Sequence, residues 1–355
     1  MQDSVLEPTR LTQYAHGAGC GCKIAPQVLK EIILPHGPET SYPGLLVGNG
    51  SNDDAAVYDL GNGTALIATT DFFTPIVDDA YSFGRVAAAN AISDVYAMGG
   101  TPTLALAILG WPVNTLSPAL AAEVLRGARE TCREAGIPMA GGHSIDIPEP
   151  VFGLSVNGLV PLAHLKRNNT AQQGDLVFLT KELGTGVFST AQKRNVLEEE
   201  DLQTLLTQLI QLNSAGAKIA AIAGVTAMTD VTGFGLLGHL YEMAEGSGLG
   251  VELYMDKVPK MLRLEKYLAL NTIPDATYRN WNAYQEHTLL DPAIDVMQAF
   301  QLLPDPQTNG GLLFSVRPDS VEEVKQLLNT LGLGAYAEPI ACMTACGEKR
   351  IVVKK

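Results

Sequence analysis

The stretch Tyr81–Met98 constrains the fold more than any other. It has helical periodicity, but its central sequence, VAAANAISDVYAM, is apolar on almost every side. Such a helix is buried, so other elements must pack against it. Gly99-Gly100 supplies the residues that stop a helix. Two polar residues interrupt the apolar surface, Asn90 and Asp94, spaced i, i+4 on one face.

The surrounding sequence alternates strand and helix signals. Ala55–Tyr58 and Thr64–Thr70 read as β-rich runs joined by a hairpin turn at Asp59–Gly63. Leu104–Leu109 reads as a buried strand. Ser117-Pro118 gives an N-cap and a first-turn proline for a helix running to about Ala135, where Gly136 stops it. Val151–Val160 is a further strand. The sequence turns polar over 164–174, which predicts a domain boundary, with an N-terminal α/β domain over 1–166 and a C-terminal α+β domain over 172–355. Beyond the boundary, strands are predicted at Asp175–Thr180, Val225–Asp230, Val251–Met255, Gly310–Val316 and Ile351–Val353. A long helix is predicted over Leu202–Ile222, led by acids at Glu198–Asp201, and another over Phe234–Ala244. No short repeat or low-complexity segment is present.

The balance of charge excludes some functions. The net charge of −14 and the lack of a basic stripe argue against nucleic acid as a partner. An acidic chain can still bind polyphosphate if cations sit between carboxylate and phosphate. Five cysteines imply no disulfide framework and point to a reducing compartment. The N-terminus lacks the pattern of a secretory leader. The longest apolar run, Leu104–Val113, is far short of the roughly 20 residues of a membrane span. A cytoplasmic protein with no membrane contact is expected.

Several segments could carry chemistry. In Gly17–Lys23, three glycines alternate with Ala18, Cys20 and Cys22 before Lys23. Such a segment can lie close to a ligand, with Lys23 as a point charge for phosphate and as a neighbour that lowers a thiol pKa. It reads equally as a loop with incidental cysteines. Cys-x-Cys offers only two of the four ligands a structural zinc needs. Asp53, Asp54, Asp71 and Asp230 lie at the ends of predicted strands, and Asp94 on the apolar helix. Any one of them could be a cap, but together they could converge on Mg²⁺. Gly141-Gly-His-Ser144 reads as a Gly-rich turn able to cradle phosphate, or as a turn with a satisfied histidine. No Walker motif occurs. A G-x-G-x-x-G does occur at Gly233, Gly235 and Gly238, with Asp256 beyond. The polar residues Thr229–Thr232 entering it are unlike a buried parallel strand, and Asp230 would repel a pyrophosphate, so a dinucleotide site is rejected.

In this order, LTQYAHGAGCGCK (11–23), DDAAVY (53–58), TTDFFTPIVDD (69–79), NAISDVYAMGG (90–100), AILGWP (107–112), AGGHSID (140–146), MTDVTGFGLLGH (228–239) and DPQTNGG (305–311) closely resemble the selenophosphate synthetase (selenide, water dikinase) family. The resemblance covers nearly the whole chain. It implies a two-domain AIR-synthetase-like α+β fold whose N-terminal α/β domain gives strands to a homodimeric β-barrel. The implied reaction is ATP + selenide + water → selenophosphate + AMP + phosphate. By position, Cys20 and Lys23 match the catalytic residues. Lys23, Ser51, Asn52, Asp53, Asp71, Asp94, Gly142, His143 and Ser144 match ATP contacts, and Asp54, Asp94 and Asp230 match ligands of more than one Mg²⁺. Asn309 replaces the family's usual Ser, an exchange of small polar residues from which little change is expected. Cys342 and Cys346 match no functional motif.

With selenide largely HSe⁻, nucleophile and γ-phosphate repel each other. Carboxylate-held Mg²⁺ and Lys23 would offset that repulsion, while Gly17–Lys23 closes over ATP. The rivals are a phosphoribosyl-amidine cyclase of the same superfold, which lacks the Cys-Gly-Cys-Lys segment, and a non-catalytic selenium or metal carrier built on Cys20 and Cys22. Selenide could arrive free or from a selenium-delivery protein.

Overall fold

The computed structural model describes residues 9–15, 19, 28, 32, 42–48 and 53–355. Two sheets share the described chain. The first is built from β1 (Leu45–Val47), β2 (Ala56–Asp59), β3 (Thr64–Phe73), β4 (Thr101–Trp111), β5 (Met139–Asp146) and β6 (Val151–Pro161), in the order β1-β2-β3-β6-β4-β5. The predicted hairpin joins β2 to β3, and its turn is held by Asp59 Oδ1, which accepts from Gly61 N at 2.8 Å, and by Asn62 Oδ1, which accepts from Thr64 N at 3.1 Å. β3 and β6 pair antiparallel from Thr64↔Pro161 to Phe73↔Phe152.

The apolar stretch forms α1 (Ala80–Ala97), with Asp79 capping Ser82 N at 2.7 Å and Gly99 ending it at φ +79°. One side of α1 covers the inner face of the first sheet through a ring stack running Phe73, Phe83, Phe152, with centroids 6.1 and 6.3 Å apart. Another side meets α2 (Pro118–Glu134) so closely that a Cβ on Gly84 would lie 1.9 Å from Val124 O, and one on Gly127 2.0 Å from Tyr81 O.

Chain order then gives β7 (Leu176–Leu179), α3 (Thr185–Lys193), α4 (Glu199–Ile210), α5 (Ala215–Ala220), β8 (Val225–Asp230), α6 (Gly235–Gly246), β9 (Gly250–Tyr254), α7 (Leu264–Ala269) and α8 (Asp275–Tyr284). After them come β10 (Thr288–Leu290), α9 (Val296–Leu302), β11 (Leu312–Val316), α10 (Val321–Thr330), β12 (Ala341–Thr344) and β13 (Ile351–Lys354). The second sheet runs β10-β13-β9-β12-β7-β11-β8. Every residue of β11 is buried, as its largely apolar sequence, Leu-Leu-Phe-Ser-Val, requires. β8 pairs antiparallel with β11 alone among the described strands, so the glycines that follow it open α6 outside any parallel βαβ unit.

Three sequence expectations need correction. The long helix over Leu202–Ile222 is two helices, α4 and α5, broken where Gln211 turns extended at ψ 120°. No Gly or Pro marks the break; tertiary hydrogen bonds to Leu209, Gln211 and Asn213 hold it open. The Gly-rich turn Gly141–Ser144 is instead part of β5, paired parallel to β4 at Ala107↔Gly142 and Leu109↔Ser144. Glycine is required there because a Cβ on Gly142 would lie 2.1 Å from Ala107 O. Third, the strand read as buried, Leu104–Leu109, is the middle of a longer β4 with one face uncovered among the described residues, on which Leu106 is exposed.

Candidate active site

α1 carries its polar residues toward the seam between the sheets. Asn90, Ser93 and Asp94 share one face of the helix, and each holds an acid or is one. Asn90 Nδ2 donates to Asp71 Oδ2 near the end of β3. Ser93 Oγ donates to Asp230 Oδ2 at 2.5 Å, where β8 ends. Asp94 Oδ2 accepts from Thr69 Oγ1 at 2.5 Å. Asp54, just before β2, accepts on Oδ1 from Thr229 Oγ1 at 2.8 Å. A residue from before β2 is thus tied to β8, 175 positions away.

These acids repel one another. Burial, then the charges of Asp230, Asp53 and Asp94, push the Asp54 carboxyl well above its ordinary value. Burial pushes Asp53 up to about 6, against hydrogen bonds from Asn168 and Asp54 N–H groups. One oxygen of each, Asp53 Oδ2 and Asp54 Oδ2, is buried with no hydrogen-bond partner. Hard oxygen donors that no hydrogen-bond donor reaches and that face other carboxylates suit a hard divalent cation. Among the described residues no three His, Cys, Asp or Glu side chains close into a direct ligand cluster. Mg²⁺ retains several waters and needs only one or two carboxylates of its own, so an open set of acids with orphaned oxygens fits it.

The structure brings together the expected Asp53, Asp54, Asp94 and Asp230, and joins Asp71 to them through Asn90 and α1. It does not bring in Gly142, His143 and Ser144. Gly142 shares a row with Asp71 (Asp71↔Leu154, Leu154↔Ala107, Ala107↔Gly142), but three strand spacings away, about 14 Å. All three residues are exposed on the last strand of the sheet. Cys20, Cys22, Lys23, Ser51 and Asn52 lie outside the described residues. Gly19 is described, and its N–H donates to Thr74 O at 3.2 Å, just past β3.

A second layer, missed by sequence reasoning, lies beneath the acids. Asn213 Nδ2 donates to both Ser93 Oγ and Gly310 O at 2.8 Å. The buried Lys181, two residues past the end of β7, lies close enough to feel Asp230; burial pushes its ammonium down to about 7 and the Asp230 charge draws it back up. Asn309 sits fully buried at φ +47°. Its departure from the family pattern was the one available signal.

Two mixed sheets with a buried helix between them and acids gathered at the seam define an AIR synthase related protein. The N-terminal domain of that family matches residues 52–160, and its C-terminal domain matches residues 172–354. Solved structures agree on the fold. Thiamine-monophosphate kinase from Stenotrophomonas maltophilia K279a superposes with TM-score 0.64 at 19% identity, covering 88% of this chain and 92% of that one. The hydrogenase maturation protein HypE in complex with ATP gives 0.64 at 18% identity, covering 97% and 94%. Sequence relatives are nearer. The selenide, water dikinase of Salmonella typhi is 55% identical over 325 residues, 91% of this chain and 92% of its own, and that of Enterobacter sp. (strain 638) is 52% identical over 339 residues, covering 96% and 94%. The chain belongs to the selenide, water dikinase family.

Proposed function

We propose that this protein makes selenophosphate, consuming ATP, selenide and water and releasing AMP and phosphate. The observation that carries the proposal is the convergence of Asp54, Asp94 and Asp230 at the seam, with Asp54 Oδ2 buried and unpaired, in a chain 55% identical to a selenide, water dikinase. Asp54, Asp94 and Asp230 would hold Mg²⁺, which supplies charge neutralisation at the phosphates when bound. Asp71, Asp53 and the Ser51-Asn52 stretch would position ATP, and Lys23 would add a positive charge at the phosphate that is transferred. Cys20 would meet selenium. Residues 1–166 would thus carry most of the chemistry, while 172–355 would add Asp230 and the support beneath the site.

In one chain, β5 places Gly142–Ser144 away from the acids. Those residues serve ATP only if a second copy contributes them, consistent with a homodimer formed through the uncovered face of the first sheet. That face presents Tyr58, Phe72, Leu106, Ile145 and Leu159, all exposed in the single chain.

The test is incubation with Mg·ATP, with and without selenide, under reducing conditions. Selenide-dependent AMP is expected; ADP as the sole product, or AMP release indifferent to selenide, would sink the proposal. Asp94→Ala should reduce AMP formation by at least about 100-fold, as loss of a charge-stabilising group does. Near-normal turnover would remove Asp94 from the metal role.

A further inference from the structure

Lys181 and Asn309 take no part in the chemistry above, yet they lie under it. Lys181 Nζ donates to Gln211 O at 2.8 Å and to Asn309 O at 2.7 Å. Asn309 Nδ2 donates to Leu209 O at 2.7 Å and Gln211 O at 2.9 Å, the carbonyls at the end of α4. Its backbone N–H donates to Asn90 Oδ1 at 2.7 Å, and Asn90 Nδ2 donates to Asp71 Oδ2.

The direction of each bond is fixed by chemistry. A backbone N–H can only donate, so the atom of Asn90 facing Asn309 must be its oxygen. Its NH₂ group is then forced to the opposite side, where Asp71 waits as an acceptor. Were the amide of Asn90 to turn over, it would present an oxygen to a carboxylate and an NH₂ to an N–H, losing both bonds. The orientation of Asn90 thus depends on where Asn309 N is held, and that place is set by four bonds from Lys181 and the Asn309 amide to α4 and to the Asn309 carbonyl. Asn309 occupies the left-handed region, which Asn tolerates better than most residues.

We propose that Lys181 and Asn309 are positioning residues, which lock the Asn90 amide as a donor to Asp71 and so set Asp71 for the nucleotide. This rests on the reading of Asp71 as an ATP contact. The second half of the chain would thereby set the nucleotide affinity of a site whose contacts lie in the first half.

The test measures KM for ATP and kcat for AMP formation in the full-length enzyme with Mg·ATP and selenide. Lys181→Met removes two donors, and Asn309→Gly keeps the left-handed backbone while deleting the grip on α4. Each should raise KM for ATP about tenfold with kcat within about twofold. In the double variant Lys181→Met/Asn90→Leu, KM should be no higher than in Asn90→Leu alone, because both act through one amide. Asp71→Asn is the control. If it leaves KM for ATP unchanged, the reading of Asp71 falls, and the proposal with it. If Asp71→Asn raises KM while Lys181→Met and Asn309→Gly lower only the melting temperature, the proposal falls alone. Additive effects in the double variant would also overturn it. Should Lys181→Met not fold, Asn309→Gly combined with Asn90→Leu carries the same comparison.

Discussion

Asp305 shows how far one residue's setting departs from its ordinary chemistry. It is fully buried, accepting from Gly186 N at 3.2 Å and Gln307 Nε2 at 2.8 Å, and burial still pushes its carboxyl up to about 7. A carboxyl that binds its proton more tightly when folded stabilises the fold below about 3.8, its unfolded value, and loses that contribution as pH rises toward about 7. The melting-temperature advantage of the wild type over Asp305→Asn should therefore shrink between pH 4 and 7; a constant gap would show that the donors around Asp305 outweigh burial. At this scale the sequence was partly legible. Asp54, Asp94 and Asp230 stood out by their number and by the apolar setting of Asp94, since any one of them alone reads as a cap. Asn309 and Lys181 did not, because a buried lysine and a buried asparagine look like surface residues until the acceptors that hold them, backbone carbonyls from distant segments, are known.

Among the elements, α1 was the most legible, expected over Tyr81–Met98 and found over Ala80–Ala97. Its apolar sequence and its Gly99 stop act locally, and local rules suffice to find it; its Asp79 cap was not read from the sequence. The break between α4 and α5 and the conversion of Gly141–Ser144 from turn to strand were hidden for the opposite reason. Both are decided by partners on other elements, Asn309 and Gly310 in one case and β4 in the other. The contact between α1 and α2 makes a sharp prediction. Gly127→Ala would drive a methyl group against Tyr81 O, 2.0 Å from its ideal position. The loss of stability should be about 1–3 kcal/mol, the usual result of overpacking, read by denaturant titration. Ala at an exposed helical site is normally favourable compared with Gly, so an unchanged or raised midpoint would mean that the two helices part without cost.

For the whole molecule, the first sheet presents one broad face on which the described residues place no layer. Phe72, near the end of β3 and opposite Gly153 on β6, is 52% exposed on it. A charge there should cost a self-association little in folding and much in assembly, since like charges meet across a two-fold contact. Phe72→Asp is expected to halve the mass seen by light scattering and to reduce AMP formation in step, if Gly142–Ser144 serve the neighbouring copy. A monomeric wild type, or a variant dimer of full activity, would refute this.

The bond between Asn309 N and Asn90 Oδ1 spans 219 positions of the chain. It therefore has a consequence in time as well as in space. A ribosome adding about 5–20 residues per second takes roughly 10–45 s to pass from one partner to the other. Throughout that interval the first sheet and α1 can pair and pack, but Asn90 Oδ1 lacks the Asn309 N–H that locks it, and Ser93 lacks Asp230 until that residue is made. The growing chain is thus a folded scaffold with an unfinished site, unable to hold a nucleotide in the geometry described above. Competence for phosphoryl transfer arrives only when the last third of the protein has been synthesised and closed over the first.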